Sequence, residues 1–502
     1  MRLEISQLDA STIRTERIER SLQGLKQIWS EAIALELQEA ENLEKIYPNN
    51  RKSAQNLIHY LAVRRHDIRD LQYDLSILGL SSLGRMEAHV MASLHAVLEA
   101  LHRIDNRSIP PELQAELSIT HELGNAILTE HTLEILGPKP ELRNARIMVT
   151  MPSEAADDPQ IIHKLLAKDM NIMRVNCAHD NREVWTKMIQ NLRQAETDLG
   201  KSCRISFDLA GPKLRTGKIE GKNFSLSQGD TLVVKKGDIL GEPSSKNKPA
   251  RVGCDVPEVF RDVRIGERVF FDDGIIAGVI RHVEAEEFQV EITSAREGKA
   301  KLKSEKGINL PDTDLKLPAL TQKDLQDLEF VAQHGDMVAI SFVQHPTDIE
   351  QLIEELEKLN AGELGIILKI ENQKAFQQLP KLLLTALRHP RIAVMVARGD
   401  LGVEVGFERL SEVQEEILWL CEAAHVPVIW ATQVLESLAK GGMASRAEVT
   451  DAAMGSRAEC VMLNKGLYID KAMQFLCDVL QRMQEHHQKK MVMLRQLNIS
   501  RF

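Results

Sequence analysis

From residue 145 onward, short apolar runs alternate with amphipathic segments along the chain. Eight runs rich in Ile, Val and Met occupy residues 145–151, 171–176, 203–209, 336–342, 365–371, 391–400, 427–433 and 459–465. Nearly continuous apolar strands that alternate with helices are typical of a parallel sheet covered by helices. Eight such units, evenly spaced except after the third, predict an α/β fold, a (β/α)₈ TIM barrel.

A different pattern fills the long gap between the third and fourth runs. Its segments TLVVKKG, RVFFDDGIIAGVI and FQVEITSA alternate polar and apolar residues with a period of two, and Gly and Asp turns separate them. This pattern predicts an inserted β-rich lid domain, residues 212–313, in a loop of the barrel. The barrel itself is then formed by residues 141–211 and 314–502. Such an insertion is typically used to cover a site.

The first 140 residues are predicted to form an N-terminal all-α domain, here called the helical domain (residues 1–140). Apolar residues recur at helical spacing at Ile18, Leu22, Leu25, Ile28, Ile33 and Leu37. This spacing predicts a helix over residues 15–45, which ends at the YPNN segment. Two further helices are predicted over about 53–78 and 83–102, with GLSSLG as the hinge between them.

Composition and charge narrow the class of protein. The chain of 502 residues is 43% hydrophobic and carries 73 acidic against 63 basic residues, a net charge of −10. This balance argues against a general nucleic-acid-binding surface. We expect neither a signal peptide nor a membrane span, because the first twenty residues lack the apolar core of a signal peptide and no window has an apolar run of ~18 residues. The six cysteines lack paired spacing, so we expect free thiols and a cytoplasmic protein that associates with neither membrane nor nucleic acid.

Polar residues stand at the ends of the predicted strands. In barrels of this type, catalytic groups come from the carboxyl ends of the strands. In strand order these residues are Arg174 and Asn176; Asp208, Lys213 and Arg215; Ser341; Lys369 and Glu371; Arg398 and Asp400; and Thr432 and Gln433. Charges at the ends of apolar strands cost free energy unless they are paired or bound to a ligand.

The segments KIE and ARGD carry the most specific chemistry. Glu371 and Asp400 follow adjacent strands, so their carboxylates can converge on one divalent cation, for which Mg²⁺ is favoured. Lys369 lies on the same strand face as Glu371. With Arg174 and Arg215 nearby, this set provides the cations that phosphoryl transfer needs. The alternative is an internal salt bridge of Lys369 with Glu371 or Asp400.

These residues lie in segments that resemble the pyruvate kinase family. The matching segments run in the family's order from about residue 146 to residue 483 and include NIMRVNCAHD, FDLAGPKLRTG, KGINLPDTDLKLPALTQKD, ILKIEN, VMVARGDLGVEV, VIWATQVLESL and SRAEVTDAAM. The resemblance implies transfer of the phosphoryl group from phosphoenolpyruvate to ADP, giving pyruvate and ATP, the last step of glycolysis. It also implies a requirement for Mg²⁺ (or Mn²⁺) and a homo-oligomer, a dimer or tetramer.

The resemblance also implies a role for each strand-end residue. By this likeness Lys369 and Arg174 contact the transferring phosphate, and Glu371 and Asp400 hold the metal. The substrate carboxylate is expected at Gly399, Asp400 and Thr432, and Thr432 also borders the face where the enolate is protonated. The nucleotide side is expected to include Asn176, His179 and Arg215, with Lys306 reaching in from the edge of the lid domain.

One departure from the family pattern suggests a change in cation requirement. Most members bind K⁺ through an NFSH segment and the Asp-Thr of DTKGPE. Here the first segment is NCAH (176–179) and the second is DLAGPK (208–213), with lysine where glutamate is usual. An ammonium group is a tethered monovalent cation, so Lys213, near Asp208, is expected to replace K⁺. The K⁺-independent branch of the family has a similar pattern, and we predict activity without K⁺.

Other departures keep two further interpretations open. Asn464 replaces a serine in a shortened segment after strand eight, Met151 replaces a glycine, and Leu368 replaces a small residue. The family's C-terminal domain, with its sugar-phosphate effector site, is expected to be absent. An aldolase or lyase that stabilises pyruvate enolate on Mg²⁺ is one alternative to phosphotransfer. A non-catalytic metabolite-binding regulatory protein is the other.

Overall fold

The helical domain opens the computed structural model, which describes residues 10–114, 117–246, 248–489 and 491–492. Its helices are α1 (Ala10–Gln38), α2 (Ala40–Glu44), α3 (Arg51–Val63), α4 (Arg69–Ile77), α5 (Val90–Ile104) and α6 (His121–Leu136). The apolar positions predicted on the first helix include Leu22 and Leu25, which are buried. Residues 1–9 of the predicted domain lie outside the described residues.

Two of the predicted helices in this domain are wrong in extent. The helix predicted over 53–78 is divided into α3 and α4, because the Asp67 carboxylate accepts a hydrogen bond from the backbone N–H of Arg69 (3.2 Å) and starts a new helix. The helix predicted from residue 83 begins at Val90, since Leu83 has φ of 62° and cannot continue a right-handed helix. Helix α6 was not predicted; the Thr120 hydroxyl accepts from the Leu123 N–H at its start (3.2 Å).

The first part of the barrel follows this domain. Strands β1 (Arg146–Thr150), β2 (Ile172–Asn176) and β3 (Arg204–Asp208) alternate with helices α7 (Pro159–Ala167) and α8 (Arg182–Leu199). Asp158 caps α7 and Asn181 caps α8 through their side-chain oxygens. Strand β1 is buried at every position, as expected for a strand covered on both faces.

The β-rich insertion comes next. It contains β4 (Asn223–Ser227), β5 (Thr231–Lys236), β6 (Ala250–Cys254), α9 (Val259–Asp262), β7 (Arg268–Phe271), β8 (Ile276–Val283), β9 (Glu287–Ala295), β10 (Lys299–Lys303) and β11 (Ile308–Asn309). Six of these strands form one sheet in the order β11-β7-β8-β9-β5-β6, and β10 pairs with β4. Their inward side chains form a hydrophobic core separate from that of the barrel. The predicted β-rich insertion is confirmed, while its boundaries at residues 212 and 313 stay a prediction.

The second part of the barrel supplies the remaining strands. These are β12 (Met337–Ile340), β13 (Gly365–Ile370), β14 (Ile392–Ala397), β15 (Val428–Ala431) and β16 (Cys460–Leu463). The accompanying helices are α10 (Gln322–His334), α11 (Pro346–Lys358), α12 (Gln373–Ala386), α13 (Arg398–Val405), α14 (Leu410–Ala423), α15 (Glu436–Gly441), α16 (Arg446–Met454) and α17 (Ile469–Met483). A short hairpin, β17 (His487–Gln488) and β18 (Met491–Val492), follows them.

The eight strands close into a parallel barrel in the order β1-β16-β15-β14-β13-β12-β3-β2. The predicted (β/α)₈ barrel is therefore confirmed. Its interior is filled by side chains such as Met148, Met395 and Met462, and Ile135 and Leu136 at the end of α6 pack against this inner cluster. The barrel is thus a packed core, and its carboxyl ends open toward the inserted domain.

Two observations bear on the predicted environment of the chain. In the part of the chain that the structure describes, no helix is both long and apolar enough to cross a membrane. All six cysteines are free thiols, and each except Cys477 is buried.

Candidate active site

Buried charged side chains gather at the carboxyl ends of β2, β3 and β13. Asp208 ends β3, and one of its carboxylate oxygens accepts a hydrogen bond from Arg174 (2.6 Å) and lies 3.4 Å from the Lys369 ammonium. Burial opposes ionisation, but the charges of Arg174 and Lys369 hold the pKa of Asp208 below its usual range. Within the described residues, the second oxygen, Oδ1, is buried and has no hydrogen-bond partner. The cluster therefore keeps one acceptor free.

Lys369 is the central cation of this cluster. Its Nζ donates to the Ser341 hydroxyl (2.7 Å) and lies 3.1 Å from the Glu371 carboxylate. Burial alone would favour the neutral amine, yet the carboxylates of Glu371 and Asp208 raise the pKa of Lys369. The Ser341 hydroxyl in turn donates to the Leu209 carbonyl (2.7 Å), which fixes its orientation. Lys369 is thus a charged, oriented ammonium group, and one of the two predicted salt bridges, that with Glu371, is present.

The two carboxylates predicted to bind the metal are held by different contacts. One oxygen of Glu371 accepts the backbone N–H of Phe342 (2.7 Å), so its position depends on the loop after β12. Asp400 lies in the first turn of α13, and the Lys213 ammonium is 3.0 Å from both of its oxygens. Among the described residues, no group of three or more His, Cys, Asp or Glu side chains could hold a metal.

This donor set nevertheless fits Mg²⁺. Mg²⁺ is commonly bound by one or two carboxylates together with waters and substrate phosphate oxygens. Glu371 follows β13 and Asp400 follows β14, and these strands are paired neighbours. Two hard carboxylate ligands at one edge of a site, with cations beside them for phosphate, match that mode of binding.

Lys213 lies in a different place from the one expected. It was predicted to act with Asp208, but the structure pairs Asp208 with Arg174 and Lys369 and pairs Lys213 with Asp400. The Lys213 Nζ also lies 5.7 Å from the centre of the Phe342 ring. The loop reaches this position through Gly211, whose φ of 64° and close approach to Ser341 suit glycine.

The loop after β15 is held in a strained conformation. Thr432 has φ of 60°, which is unusual for a β-branched residue, and Gln433 has φ of 57°. The Thr432 hydroxyl accepts the Gly399 N–H (2.7 Å). Strain of this kind is concentrated at functional sites. It supports the prediction that Gly399 and Thr432 belong to one site.

Arg398 stabilises this loop from behind. It was predicted to end the sixth strand, but β14 ends at Ala397 and Arg398 begins α13. Its guanidinium donates to the carbonyls of Ala431 (2.9 Å) and Thr432 (2.6 Å) and pairs with Asp451. Its donors therefore support the Thr432 conformation.

A cavity of about 240 Å³ lies beside Arg174. Asn176 and His179 line it, as do residues with no role in the predicted site: Thr150, Met151, Glu436, Lys440, Asn464 and Lys465. Burial, followed by the nearby charges of Lys465 and Arg215, lowers the pKa of His179. The cavity thus combines a neutral imidazole with several cations, a setting that suits an anionic ligand.

Thr150 is the residue of this cavity that sequence reasoning missed most clearly. It ends β1, so the same strand-end rule that selected the other residues would have found it. Its hydroxyl accepts from Arg174 (2.8 Å) and lies 3.5 Å from the Asn464 side chain. Asn464, one of the departures from the family pattern, therefore contacts the residue that orients Arg174.

The remaining predicted residues lie on the inserted domain. Arg215 donates to the Glu305 carbonyl (3.1 Å), and the Lys306 ammonium pairs with Asp272 (2.9 Å). Farther along the same edge, Asn309 donates to Glu404 of α13 (3.1 Å). Burial raises the pKa of Glu404 to about 7. The inserted domain therefore contacts the barrel mouth through polar and charged groups.

Comparison with known proteins agrees with this geometry. A family model described as the barrel domain of pyruvate kinase matches residues 142–468. A pyruvate kinase of Bacillus licheniformis is 31% identical over 367 residues, which are 72% of this chain and 60% of that protein. A pyruvate kinase of Staphylococcus aureus (strain USA300) is 30% identical over 345 residues, 67% of this chain and 56% of that protein.

A solved structure shares the fold as well. The crystal structure of a pyruvate kinase from Cryptosporidium parvum matches with a TM-score of 0.61 and 26% identity, over 70% of this chain and 72% of that one. The chain spans less than two thirds of the length of the two bacterial relatives.

Proposed function

Because this chain belongs to the pyruvate kinase family, we propose that it is an enzyme that transfers the phosphoryl group of phosphoenolpyruvate to ADP, giving pyruvate and ATP. One observation carries the proposal. Lys369 is a buried, charged ammonium group held by Ser341 and placed beside Glu371, a metal-type ligand. A fixed cation at this position neutralises charge on a phosphoryl group during transfer.

Glu371 and Asp400 are the residues that would hold Mg²⁺ or Mn²⁺. The bound ion supplies positive charge that polarises phosphate oxygens. Lys213, which is paired with Asp400, would have to yield or share that carboxylate. Two lysines beside two carboxylates keep the pocket close to neutral before ligands arrive.

The same geometry supports a proposal for the substrate end of the pocket. Lys369 and Arg174 bind the phosphoryl group from the barrel side, and Thr150 and Asp208 orient the Arg174 guanidinium. Gly399, Asp400 and Thr432 receive the substrate carboxylate. Thr432, in its strained loop, also borders the face where the enolate is protonated.

The nucleotide is proposed to lie on the side of the 240 Å³ cavity. Asn176 and His179 line that cavity, and Arg215 and Lys306 approach from the lid domain. The lowered pKa of His179 keeps its ring neutral near pH 7, so it can accept or donate a hydrogen bond beside the phosphates.

We further propose that the enzyme is cytoplasmic, forms a homo-oligomer (dimer or tetramer) and is active without K⁺. The last point depends on Lys213, whose ammonium group contributes a monovalent charge next to Asp400. The helical domain, the barrel and the lid domain are proposed as separate units with the boundaries given above.

The direct test supplies phosphoenolpyruvate, ADP and Mg²⁺ to the full chain and follows pyruvate, with and without K⁺. We expect pyruvate in both conditions and none without ADP. Absence of pyruvate in both conditions would contradict the proposed activity. Pyruvate that forms without ADP would instead show transfer of the phosphoryl group to water, which releases inorganic phosphate.

A charge reversal tests the role of Lys213 separately. Lys213→Glu restores the residue usual in the family, and we expect the variant to become dependent on K⁺ because the tethered charge is lost. Lys218→Glu, an exposed position five residues along the chain, is the matched control and should stay independent of K⁺. Activity of Lys213→Glu without K⁺ would show that the Lys213 ammonium group does not replace K⁺.

A further inference from the structure

A second cavity, of about 410 Å³, lies between the helical domain and the outer wall of the barrel. It is far larger than a gap between packed side chains and within the range of small-molecule sites. Its walls are apolar side chains from both units: Leu35, Ile58 and Leu61 from α1 and α3, and Pro346, Pro380 and Leu384 from α11 and α12.

The charged groups around this cavity are unevenly paired. Three cations, Arg65, Lys381 and Arg388, face two carboxylates, Glu39 and Glu350, on a chain whose net charge is −10. Arg388 pairs with Glu350 (2.7 Å), but its Nε is buried without a hydrogen-bond partner among the described residues. Among the residues that the structure describes, the exposed side chains of Arg65 and Lys381 form neither a hydrogen bond nor an ion pair.

An apolar chamber with a surplus of cations at its edge recognises a particular class of molecule. The apolar body of the ligand replaces water against leucine, isoleucine and proline side chains. A single anionic group then meets the unpaired cations at the rim. A cationic ligand would be repelled by the cations at the rim, and a strongly polar ligand would not replace water against the apolar walls.

The barrel wall of this cavity is connected to the active site. Helix α12 begins two residues after Glu371, and α11 begins after the loop whose Phe342 N–H binds the Glu371 carboxylate. Pro380, a lining residue inside α12, has no N–H, so the carbonyl of Phe376 lacks its usual helical donor. A ligand packed against Pro346 and Pro380 therefore touches both helices that position Glu371.

We propose that this cavity binds a small amphipathic monocarboxylate, and that its occupancy changes metal binding at Glu371. The binding itself is independent of the proposed phosphotransfer, whereas the coupling rests on the proposed metal site. The helical domain then has a regulatory role, because it supplies half of the ligand site.

Titration calorimetry with octanoate and the full chain tests the site. We expect octanoate to bind at least about tenfold more tightly than 1-octanol, because only octanoate carries the anionic group. Leu384→Trp fills the cavity and should abolish binding. The double variant Arg65→Glu/Lys381→Glu changes only exposed rim side chains and should weaken octanoate binding about tenfold while leaving 1-octanol unchanged.

The possible results separate the two parts of the proposal. Octanoate that fails to bind the wild-type chain, or binds equally well to both variants, overturns the site. Mn²⁺ affinity, measured in the absence of nucleotide, should change at least twofold when octanoate is added to the wild-type chain and stay constant in Leu384→Trp. Octanoate binding with unchanged Mn²⁺ affinity overturns the coupling, and a chain that binds octanoate but no Mn²⁺ contradicts the metal site instead.

Discussion

Two regions of this molecule bury polar groups, and they do so in opposite ways. At the barrel mouth the buried groups include side chains of charged residue types: Arg174, Asp208, Lys369 and Glu371. Where the helical domain docks on the barrel, neutral groups are also buried, and Asn56 and His425 are the main examples. Burying a charge costs more free energy than burying a neutral polar group, so the charges at the barrel mouth indicate a functional requirement.

Around Asn56 the docking interface satisfies the buried polar groups. The Asn56 amide donates to the carbonyls of Glu87 (2.6 Å) and Ala423 (2.8 Å), and its oxygen accepts the Val90 N–H (2.9 Å). The mouth, in contrast, leaves Oδ1 of Asp208 without a partner among the described residues. A satisfied neutral network fixes one arrangement, whereas an incompletely paired charged cluster keeps capacity for a ligand.

The largest effect that separates the regions is expected from Lys369→Met. This change removes the central cation of the mouth, and we expect kcat to fall by about 10³-fold or more, as for other groups that neutralise a transferring phosphoryl group. Steady-state kinetics with phosphoenolpyruvate and ADP measures the loss, and circular dichroism checks that the variant is folded.

Lys374→Met is the matched control for this variant. Lys374 lies in the same segment, and its ion pair is with Asp314 rather than with the cluster. Its rate should stay within about twofold of wild type, as for surface substitutions away from a site. A wild-type rate in Lys369→Met would show that the buried charged side chains around Lys369 take no part in catalysis.

A substitution in the docking interface should have the opposite effect: it should lower the stability of the fold and leave kcat unchanged. Asn56→Leu leaves three backbone groups without partners in a buried interface, and each costs about 1–3 kcal/mol. We expect the free energy of unfolding, measured with urea, to fall by about 3 kcal/mol. Under conditions in which the variant is folded, kcat should be unchanged. Asn125→Leu, an exposed position in α6, should cost less than about 0.5 kcal/mol. A stable Asn56→Leu with reduced kcat would reverse the contrast between the regions.

The parts of the fold that could be predicted from sequence are those whose burial leaves a regular pattern of apolar residues. The barrel strands were predictable because burial on both faces makes them continuously apolar, as in β14, where all six positions are buried. The break between α3 and α4 depends on one Asp67 hydrogen bond, which periodicity does not detect. Helix α6 was missed because it packs on the barrel interior as well as on its own domain, so its apolar residues do not form one stripe.

In the candidate site, too, some contacts could be predicted from the sequence and others could not. Lys369 lies in β13 and Glu371 directly follows that strand, so their proximity follows from the extended local geometry. Lys213 and Asp400 are 187 positions apart, and their contact depends on how the loop into the inserted domain turns at Gly211. No local pattern contains that information, and the expected partner, Asp208, differs from the observed one.

The smallest expected effect is a pH dependence of the docking interface. His425 is fully buried; its Nε2–H donates to the Ala88 carbonyl (2.8 Å), and its Nδ1 accepts from the Ser53 hydroxyl (3.0 Å). Burial, reinforced by the neighbouring His131 and His89, lowers the pKa of His425 to about 4 from the ordinary 6.5. The folded state therefore excludes a proton that the unfolded chain binds.

The sign of the effect follows from this difference. The stabilisation is complete above pH 6.5 and is lost as the pH falls from 6.5 toward 4, because the unfolded state then gains protons that the folded state does not. Between pH 7 and pH 5 the His425 contribution to the free energy of unfolding should fall by about 2 kcal/mol. Urea unfolding at the two pH values measures this loss, and His425→Gln should reduce it by that amount. His282→Gln, at an exposed position of the inserted domain, is the control and should keep the wild-type pH dependence. An unchanged pH dependence in His425→Gln would show that His425 is not the acid-sensitive group of the docking interface.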